Sequence, residues 1–358
     1  MMSRSNFINL QLAVTRRCNM MCPHCGVASG PETTGPEMPA DKFVVIINEL
    51  NKDYNIGDIR ITGGEPLLKS GLMDILSAAH ETGARVVLES NATLVSEGFA
   101  NQIADKVDLI GVSLDSLSSH GKYRRTKLGT EAVIRGIKML VDAGCNTQIA
   151  TIVASWNKYE LAAITEFAHT IGVKRMRFLP NIVPTGRARS FNYNASYLHR
   201  MYKAVFKIVD SYGDRIDISS NIPIGLFPAH FLKNKRTLYP GVCHWDSMVG
   251  VLPDGSVALC GSVTSPELMA EKTRGEDIGD VYMKSNFFRG IREAKHNLWG
   301  VCSNCIYRNL CSGYCRVFAH AYYQSINAPF PPCQIMHEAG LFPTKNIVND
   351  PFYGASSG

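Results

Sequence analysis

The sequence predicts an α/β protein in which a parallel sheet, curved into a partial barrel, is followed by a small cysteine-rich domain. From residue 8 to about residue 180, short β-rich segments alternate with segments whose apolar residues have helical spacing. Eleven cysteines fall into a group of three near the start and a group of seven between residues 243 and 333, with Cys145 between them. The alternation indicates the barrel, and the second cysteine group indicates the appended domain.

Strand-like and helix-like segments alternate along the first half of the chain. Each helix must cover the sheet to which the chain returns, so the strands are expected to be parallel, with their carboxyl ends at one edge. The predicted strands are residues 8–15, 58–64, 84–90, 107–115, 146–155 and 173–180, and the predicted helices are residues 39–54, 71–83, 96–106, 131–144 and 158–172. In barrels of this kind the chemistry lies at the carboxyl edge.

A chain of 358 residues is longer than a usual single domain, and the element pattern divides it into four parts. The predicted parts are the barrel (1–185), a helical connector (186–240), the cysteine-rich domain (241–340) and a C-terminal tail (341–358). The connector contains several aromatic residues, Arg187 and Arg189, and we expect it to border the pocket. Its helical spacing fits ordinary packing equally well.

Composition and charge exclude several classes of protein. Hydrophobic residues make up 45% of the chain and charged residues 19%, which predicts a globular protein with a sizeable core. The net charge of +6 is spread along the chain, so no nucleic acid partner is expected. The basic run at residues 122–127 is interpreted as a solvated loop, with an anion site as the alternative. No apolar segment has the length of a signal peptide or membrane span, which predicts a cytoplasmic protein without membrane partners.

The cysteines indicate metal or redox chemistry. Structural disulfides are disfavoured in the cytoplasm, and an odd number of cysteines cannot pair completely. Cys18, Cys22 and Cys25 follow the first predicted strand with the spacing Cys-x3-Cys-x2-Cys and offer three thiolates to one centre. A zinc site is the alternative, although zinc motifs usually contain two-residue pairs and a fourth ligand nearby.

The second predicted strand ends in the sequence GGEP, residues 63–66. Gly63 and Gly64 allow a ligand to approach the backbone closely, Glu65 can accept a hydrogen bond from an ammonium group, and Pro66 fixes the turn. Taken alone, this segment fits a plain tight turn. Next to the cysteine triplet, it indicates a ligand site.

The triplet and GGEP resemble the corresponding motifs of the radical S-adenosylmethionine (SAM) enzymes. In that family the three cysteines bind three irons of a 4Fe-4S cluster, and SAM chelates the fourth iron through its amino and carboxylate groups. Polar residues at the ends of the third and fourth strands would complete the SAM site. The resemblance implies nine SAM-binding residues, namely His24, Gly63, Gly64, Glu65, Pro66, Ser90, Asn91, Ser113 and Asp115.

The seven later cysteines resemble a SPASM domain, which carries two auxiliary iron-sulfur clusters in a subclass of these enzymes. Their spacing includes Gly255-x4-Cys260 and Cys302-x2-Cys305-x5-Cys311-x3-Cys315. The resemblance implies three clusters in total, all expected to be 4Fe-4S, and a pair of structural zinc sites is the alternative. The implied ligands are Cys302, Cys305, Cys311 and Cys333 for the outer cluster and Cys243, Cys260 and Cys315 for the inner one.

The inner cluster departs from the fully ligated SPASM pattern. Members with that pattern have an eighth cysteine a few residues before the first, whereas residues 236–245 contain only Cys243. We therefore expect an open iron in the inner cluster. His244 or Asp246 as a ligand, or a cluster with fewer irons, are the alternatives.

The resemblance implies a radical oxidation. A reduced cluster cleaves SAM to give a 5'-deoxyadenosyl radical, which abstracts a substrate hydrogen, and the auxiliary clusters accept the second electron. A flavodoxin- or ferredoxin-type protein is the expected reductant, and no catalytic side chain is assigned. An epimerase would commonly need a thiol as hydrogen donor, but Cys145, which lies outside both motifs, is predicted to be a small packed residue away from the cluster. A free thiol at Cys243 or a tyrosine is the alternative hydrogen donor.

The sequence favours a ribosomally made peptide as the substrate. The alternative is a small-molecule dehydrogenase or epimerase acting, for example, on an amino sugar, and a non-catalytic zinc or electron-carrier protein is the second alternative. Sulfatase-maturating members have an Asp base where this chain has Gly261, which disfavours that activity. With Cys18 so near the start, no leader-peptide domain is expected before the barrel.

Overall fold

The computed structural model describes residues 7–228, 230, 231, 238–240 and 243–348. Within these residues, eleven strands form one sheet. The strands are β1 (Phe7–Ala13), β2 (Asn55–Thr62), β3 (Arg85–Ser90), β4 (Leu109–Ser113), β5 (Thr147–Ile152), β6 (Arg175–Leu179), β7 (Asp217–Ser220), β8 (Leu238–Pro240), β9 (Met248–Val251), β10 (Ser256–Ala258) and β11 (Met269–Lys272).

The first eight strands are neighbours in sequence order, and every pair among them is parallel. Helices cross between them and then cover the C-terminal part. The helices are α1 (Ala40–Asp53), α2 (Leu72–Glu81), α3 (Glu97–Ile103), α4 (His120–Arg124), α5 (Gly129–Asp142), α6 (Leu161–Thr170), α7 (Ala195–Tyr212), α8 (Ile278–Lys284), α9 (Asn286–Ala294), α10 (Arg308–Cys311), α11 (Arg316–Tyr323) and α12 (Pro331–Glu338).

The predicted fold class is confirmed. The six predicted strands correspond to β1 to β6, and the five predicted helices correspond to α1, α2, α3, α5 and α6. Strands β7 and β8 and the short helix α4 were not predicted. The two strands extend the parallel array, and α4 precedes α5. The four-residue β7, with the sequence DISS, is too short and polar for a periodicity argument to detect.

Apolar and polar side chains alternate along the strands, with the apolar ones in the packed core and the polar ones in the barrel interior. On β2, Ile59 and Ile61 are fully buried in the hydrophobic core, while Arg60 between them is only half-buried. On β6, Met176 and Phe178 are buried in the same way, with Arg177 between them. Because successive side chains on a strand point to opposite faces, the apolar set meets the helices and the polar set lines the barrel interior.

The C-terminal part extends the same sheet. Strand β9 pairs in parallel with β1, with Leu10 opposite Val249 and Leu12 opposite Val251, and β10 and β11 follow in antiparallel pairs. The predicted domain boundaries stay predictions. Residues 232–237, 241, 242 and 349–358, which include part of the connector and of the predicted tail, lie outside the described residues.

Within the described part of the chain, no helix has the length and apolar character needed to cross a membrane.

Candidate active site

A cavity of about 200 Å³ opens at the carboxyl ends of the first four strands. Nine of the residues predicted from sequence line it, namely Cys18, Cys22, His24, Cys25, Gly63, Gly64, Ser90, Asn91 and Ser113. Six lining residues were not predicted as site residues, namely Met20, Ser29, Thr62, Glu89, Arg124 and Arg187. Glu65, Pro66 and Asp115 are not part of the lining, and each is fully or almost fully buried.

The cysteine loop is held by hydrogen bonds to neighbouring segments. The Cys18 amide donates to the Gly30 carbonyl at 3.2 Å, and the Met21 amide donates to the Arg124 carbonyl at 3.2 Å. All three thiols are free, and burial raises the pKa of Cys18 to about 11. A thiolate at this position therefore needs a cation, which a bound metal supplies.

The two glycines of GGEP bring this turn against the cysteine loop. The Gly64 amide donates to the Thr15 carbonyl and the Glu65 amide to the Arg17 carbonyl, both at 2.8 Å. A Cβ on Gly63 would lie 2.5 Å from the Thr15 oxygen, and a Cβ on Gly64 would lie 2.1 Å from the Arg17 oxygen. The glycines therefore permit loop-to-loop contact as well as lining the cavity.

The Glu65 carboxylate points behind the cavity wall. Its oxygens accept hydrogen bonds from the Ser90 hydroxyl at 2.8 Å, the Asn91 amide at 2.7 Å and the Leu67 amide at 3.2 Å. Burial raises the pKa of Glu65, and these three donors oppose the shift. With these donors from both segments on its carboxylate, the side chain ties GGEP to the end of β3. Pro66, also buried, begins the short helical turn that follows.

Asp115 and Arg124 form a buried ion pair beside the cavity. The Arg124 Nε donates to Asp115 Oδ2 at 2.7 Å, and the Ile152 amide donates to Oδ1 at 2.9 Å. Burial opposes ionisation of Asp115, but the Arg124 guanidinium outweighs it and holds the pKa at about 2. Asp115 therefore orients Arg124, which lines the cavity, and does not line it itself.

The solvated-loop interpretation of residues 122–127 is wrong for Arg124. Helix α4 turns this side chain inward, and it is 8% exposed, whereas Lys122, Arg125 and Lys127 are exposed. The pairing with Asp115, nine residues earlier, depends on how the chain folds back over the end of β4. A charge run in the sequence does not show which of its members turns inward.

His24 presents an unsatisfied polar atom. Its Nε2 is buried and has no hydrogen-bond partner among the described residues, and the ring lines the cavity. Burial, followed by the nearby Arg124, lowers the pKa of His24 to about 4, so the imidazole is neutral at pH 7. Buried polar atoms without a partner are uncommon, and one at a cavity wall fits a site that receives a polar ligand.

Arg187 clamps the cysteine loop from the connector. Its Nε donates to the Cys22 carbonyl at 2.8 Å, its Nη2 donates to the Ser29 carbonyl, and its amide donates to the Cys25 carbonyl at 3.0 Å. Arg189, the other connector arginine considered from sequence, is exposed. The structure therefore places Arg187 in the cavity wall and Arg189 on the surface.

An ion-pair bridge crosses the barrel interior next to the cavity. Glu89 accepts from Arg60, and its Oε1 lies 3.7 Å from Nη1 of Arg177 on β6. Gly111 leaves room for this arrangement, because a Cβ there would lie 2.1 Å from the Glu89 Oε2. Two cations thus share one carboxylate at the edge of the cavity. Sequence reasoning missed this bridge, although the polar residues that alternate within these strands were a signal for it.

The four cysteines assigned to an outer cluster lie together. Cys302, Cys305, Cys311 and Cys333 line a small cavity of about 20 Å³. The Phe330 amide donates to the Cys302 sulfur at 3.3 Å, and backbone amides also donate to Cys305 and Cys311. Burial, with smaller effects of Cys302 and Cys305, raises the pKa of Cys311 to about 12.

The three cysteines assigned to an inner cluster form a second group. Burial, and then the neighbouring Cys315 and Cys260 thiols, raise the pKa of Cys243 well above its usual value. Backbone amides donate to the sulfurs of Cys260 and Cys315. Of the two alternative ligands, Asp246 is paired with Lys295 at 2.9 Å, and His244 is exposed.

Among the described residues, no set of three or more His, Cys, Asp or Glu side chains is arranged to hold one ion. A structural zinc site needs four donors about 2.0–2.3 Å from one point, whereas a four-iron cluster places each thiolate on a different iron. Backbone amides aimed at the sulfurs are also a feature by which proteins tune such clusters. These amide donors are compatible with iron-sulfur ligation of the cysteine groups.

Comparison with known proteins gives the family. Residues 12–168 match the family described as the Radical SAM superfamily. Residues 12–168 therefore form a radical SAM domain. A relative from Nitratidesulfovibrio vulgaris, named AdoMet-dependent heme synthase, is 27% identical over 327 residues and covers 86% of each chain. A relative from Methanosarcina barkeri, named Fe-coproporphyrin III synthase, is 22% identical over 352 residues and covers 91% of this chain and 87% of its own.

The fold of this chain is similar to that of Streptococcus suis SuiB bound to precursor peptide SuiA. The TM-score is 0.69 at 16% sequence identity, and the match covers 90% of this chain and 74% of SuiB. The radical SAM resemblance inferred from the cysteine triplet and GGEP is confirmed for residues 12–168, and the likeness to SuiB is one of fold. The individual ligand and SAM-contact assignments stay predictions.

We predict that Gly64→Ala disrupts the site of this radical SAM domain. The new Cβ would meet the Arg17 carbonyl, which cannot withdraw without moving the cysteine loop, so unfolding free energy should fall by about 1–3 kcal/mol. Urea unfolding measures this change. The matched control is Gly98→Ala on α3, where a Cβ has nothing within 4 Å and stability should hold or rise. Equal stability of the two variants would contradict the close-contact argument.

Proposed function

We propose that this radical SAM protein is an oxidoreductase that cleaves SAM, abstracts a substrate hydrogen and passes an electron out through two auxiliary clusters. The observation that carries this proposal is the gathering of ten cysteines into three groups. One group lines a cavity beside GGEP, and the other two lie together in the C-terminal part. A binding protein or a zinc adaptor would not require a cysteine triplet in a cavity in addition to the two C-terminal cysteine groups.

Cys18, Cys22 and Cys25 would hold the first cluster and leave one iron open. When bound, a reduced 4Fe-4S cluster with SAM on its open iron supplies a radical able to remove hydrogen from an unactivated carbon. The side chains of this chain bind, orient and shield the reactants. Arg187 and the Gly63–Gly64 turn fix the cysteine loop against the sheet, and the cavity beside the loop has room for a small molecule.

The cavity wall offers the Arg124 guanidinium to the SAM carboxylate. Arg124 is buried, is oriented by Asp115 and lines the same cavity as the cysteines. Arg124 also hydrogen-bonds the Cys22 side chain. A guanidinium has five N–H donors, so others are available for a second carboxylate. The unsatisfied Nε2 of His24 would meet the adenine, and Ser90, Asn91 and Ser113 provide the remaining polar lining.

Oxidation is favoured over epimerisation by the position of the one cysteine outside the three groups. Cys145 is buried, its Sγ lies 3.5 Å from the Ala100 carbonyl, and it is not part of the cavity lining. It cannot return a hydrogen atom to a substrate in the cavity. The auxiliary groups would instead take up the second electron, which makes the net reaction a two-electron oxidation.

We propose a substrate that carries a carboxylate. Arg60 and Arg177 share the single carboxylate of Glu89 at the cavity edge, which leaves one positive charge for an anionic group. A peptide, as in SuiB with SuiA, is one candidate, but that likeness is one of fold. The relatives named heme synthase and Fe-coproporphyrin III synthase match along most of the chain and favour a porphyrin carboxylate instead. Faster 5'-deoxyadenosine formation with iron coproporphyrin III would support the porphyrin class, and stimulation by a peptide alone would contradict it.

We predict that Arg124→Lys weakens SAM binding about tenfold. Lysine keeps a charge beside Asp115 but loses the planar fork that can bind two carboxylates at once. Anaerobic calorimetry on cluster-reconstituted protein measures the dissociation constant. Arg125→Gln alters the adjacent, exposed arginine and should leave SAM affinity unchanged. If both variants bind SAM as the unaltered protein does, Arg124 is not a SAM ligand.

We predict that Cys22→Ala abolishes 5'-deoxyadenosine production while about two-thirds of the iron remains, given three equal clusters. Cys311→Ala, which alters the outer group, should lose a similar amount of iron but still cleave SAM, with impaired product formation. Iron analysis and chromatographic detection of 5'-deoxyadenosine separate the two variants. Normal 5'-deoxyadenosine formation by the Cys22 variant would refute the proposed radical function.

A further inference from the structure

Arg316 is a buried arginine that lies between the two cysteine groups of the C-terminal part. It begins helix α11 directly after Cys315 and is 1% exposed. Its charge interacts with Cys302 and Cys311 of the outer group and with Cys315 and Cys243 of the inner group. One guanidinium is therefore near both groups at once.

Only some of the N–H donors of this guanidinium have a hydrogen-bond partner among the described residues. Its Nη1 donates to the Ile326 carbonyl at 2.8 Å and to the Ala328 carbonyl at 2.6 Å. Its Nε and Nη2 are buried and have no hydrogen-bond partner among the described residues. Arginine stays charged in proteins, and a buried charge without full hydrogen bonding is costly. Such a group fits a site that holds an anion.

The surrounding loop is shaped to hold the guanidinium in place. A Cβ on Gly313 would lie 2.6 Å from Nη2 of Arg316, so only glycine fits there without displacing the side chain. Gly313 has a φ of +74° and stands between Ser312 and Tyr314, which also have positive φ values. On the other side, the Trp245 ring lies 5.9 Å from the Arg316 Cζ, and its Nε1 donates to the Ser312 carbonyl at 2.9 Å.

The charge of the expected clusters matches this arrangement. A 2+ core with four thiolates carries a charge of about −2, and one with three thiolates about −1. Accepting an electron takes the core from 2+ to 1+ and adds a negative charge in a buried place. A fixed cation nearby favours that reduced state, and hydrogen bonds to cluster sulfur act in the same direction.

We propose that Arg316 is a positioning residue shared by both auxiliary clusters, donating its unpaired Nε and Nη2 hydrogens to cluster sulfur and raising both reduction potentials. The inference rests on the proposed function, because it requires that the two cysteine groups hold clusters. Both clusters would then be better electron acceptors, because the same positive charge raises both reduction potentials. The electron accepted is the one lost by the substrate radical, so no further oxidant is needed for this step.

The test is a redox titration followed by electron paramagnetic resonance in a Cys22→Ala background, where only the auxiliary clusters contribute. Arg316→Met should lower the equilibrium constant for reduction of both clusters about tenfold, which is 59 mV for a one-electron couple. Arg316→Lys keeps the charge and should shift both less. The control is Arg292→Met, because Arg292 packs on the Tyr282 ring at 5.4 Å and lies outside both cysteine groups.

Unchanged potentials in an Arg316→Met variant with full auxiliary iron would overturn the inference, and a change in one cluster alone would overturn the shared role. If that variant fails to fold, the test uses protein that retains Arg316 and is labelled with 15N-arginine. Pulsed electron paramagnetic resonance should then detect 15N coupling at the signals of both auxiliary clusters, and Arg316→Lys should remove it. Absence of this coupling in the protein that retains Arg316 would refute the contact. A Cys22→Ala protein without iron would instead refute the proposed function, and this inference with it.

Discussion

The candidate site depends on backbone contact between two loops at the carboxyl edge of the sheet. Hydrogen bonds from the Gly64 and Glu65 amides to the carbonyls of residues 15 and 17 hold the cysteine loop against the end of β2. That contact is possible because residues 63 and 64 have no Cβ. The Glu65 carboxylate extends the link to the end of β3 through Ser90 and Asn91. These contacts connect three strand ends around one cavity.

A second constraint is electrostatic, because the fold buries several charges near its cysteines. Arg124 is paired with Asp115, whereas Arg316 has two donors without a partner among the described residues. Burial of charge is expensive, and proteins usually retain it where an opposite charge binds. Thiolate-bound clusters are anionic, so these guanidinium groups and the cysteine groups are consistent with one another. The cations near the cysteines, more than the net charge of the chain, indicate the chemistry.

The sequence predicted best those features that depend on residues close together in the chain. Strand and helix periodicity predicted β1 to β6 and their helices, and cysteine spacing separated groups that the structure also separates. Arg124 and Glu89 could not be predicted, because their positions depend on how distant strands approach each other. Glu65 was expected to face a ligand, but three nearby donors turn it inward. The pairing of β9 with β1 was missed for the same reason, since register between distant segments has no local sequence signature.

The most direct test of the account is iron and sulfide analysis of anaerobically purified protein, followed by reaction with dithionite and SAM in the absence of substrate. The account predicts about twelve irons per chain and formation of 5'-deoxyadenosine. Zinc in place of iron, with SAM intact even after cluster reconstitution, would contradict it and would mean that the cysteine groups are structural.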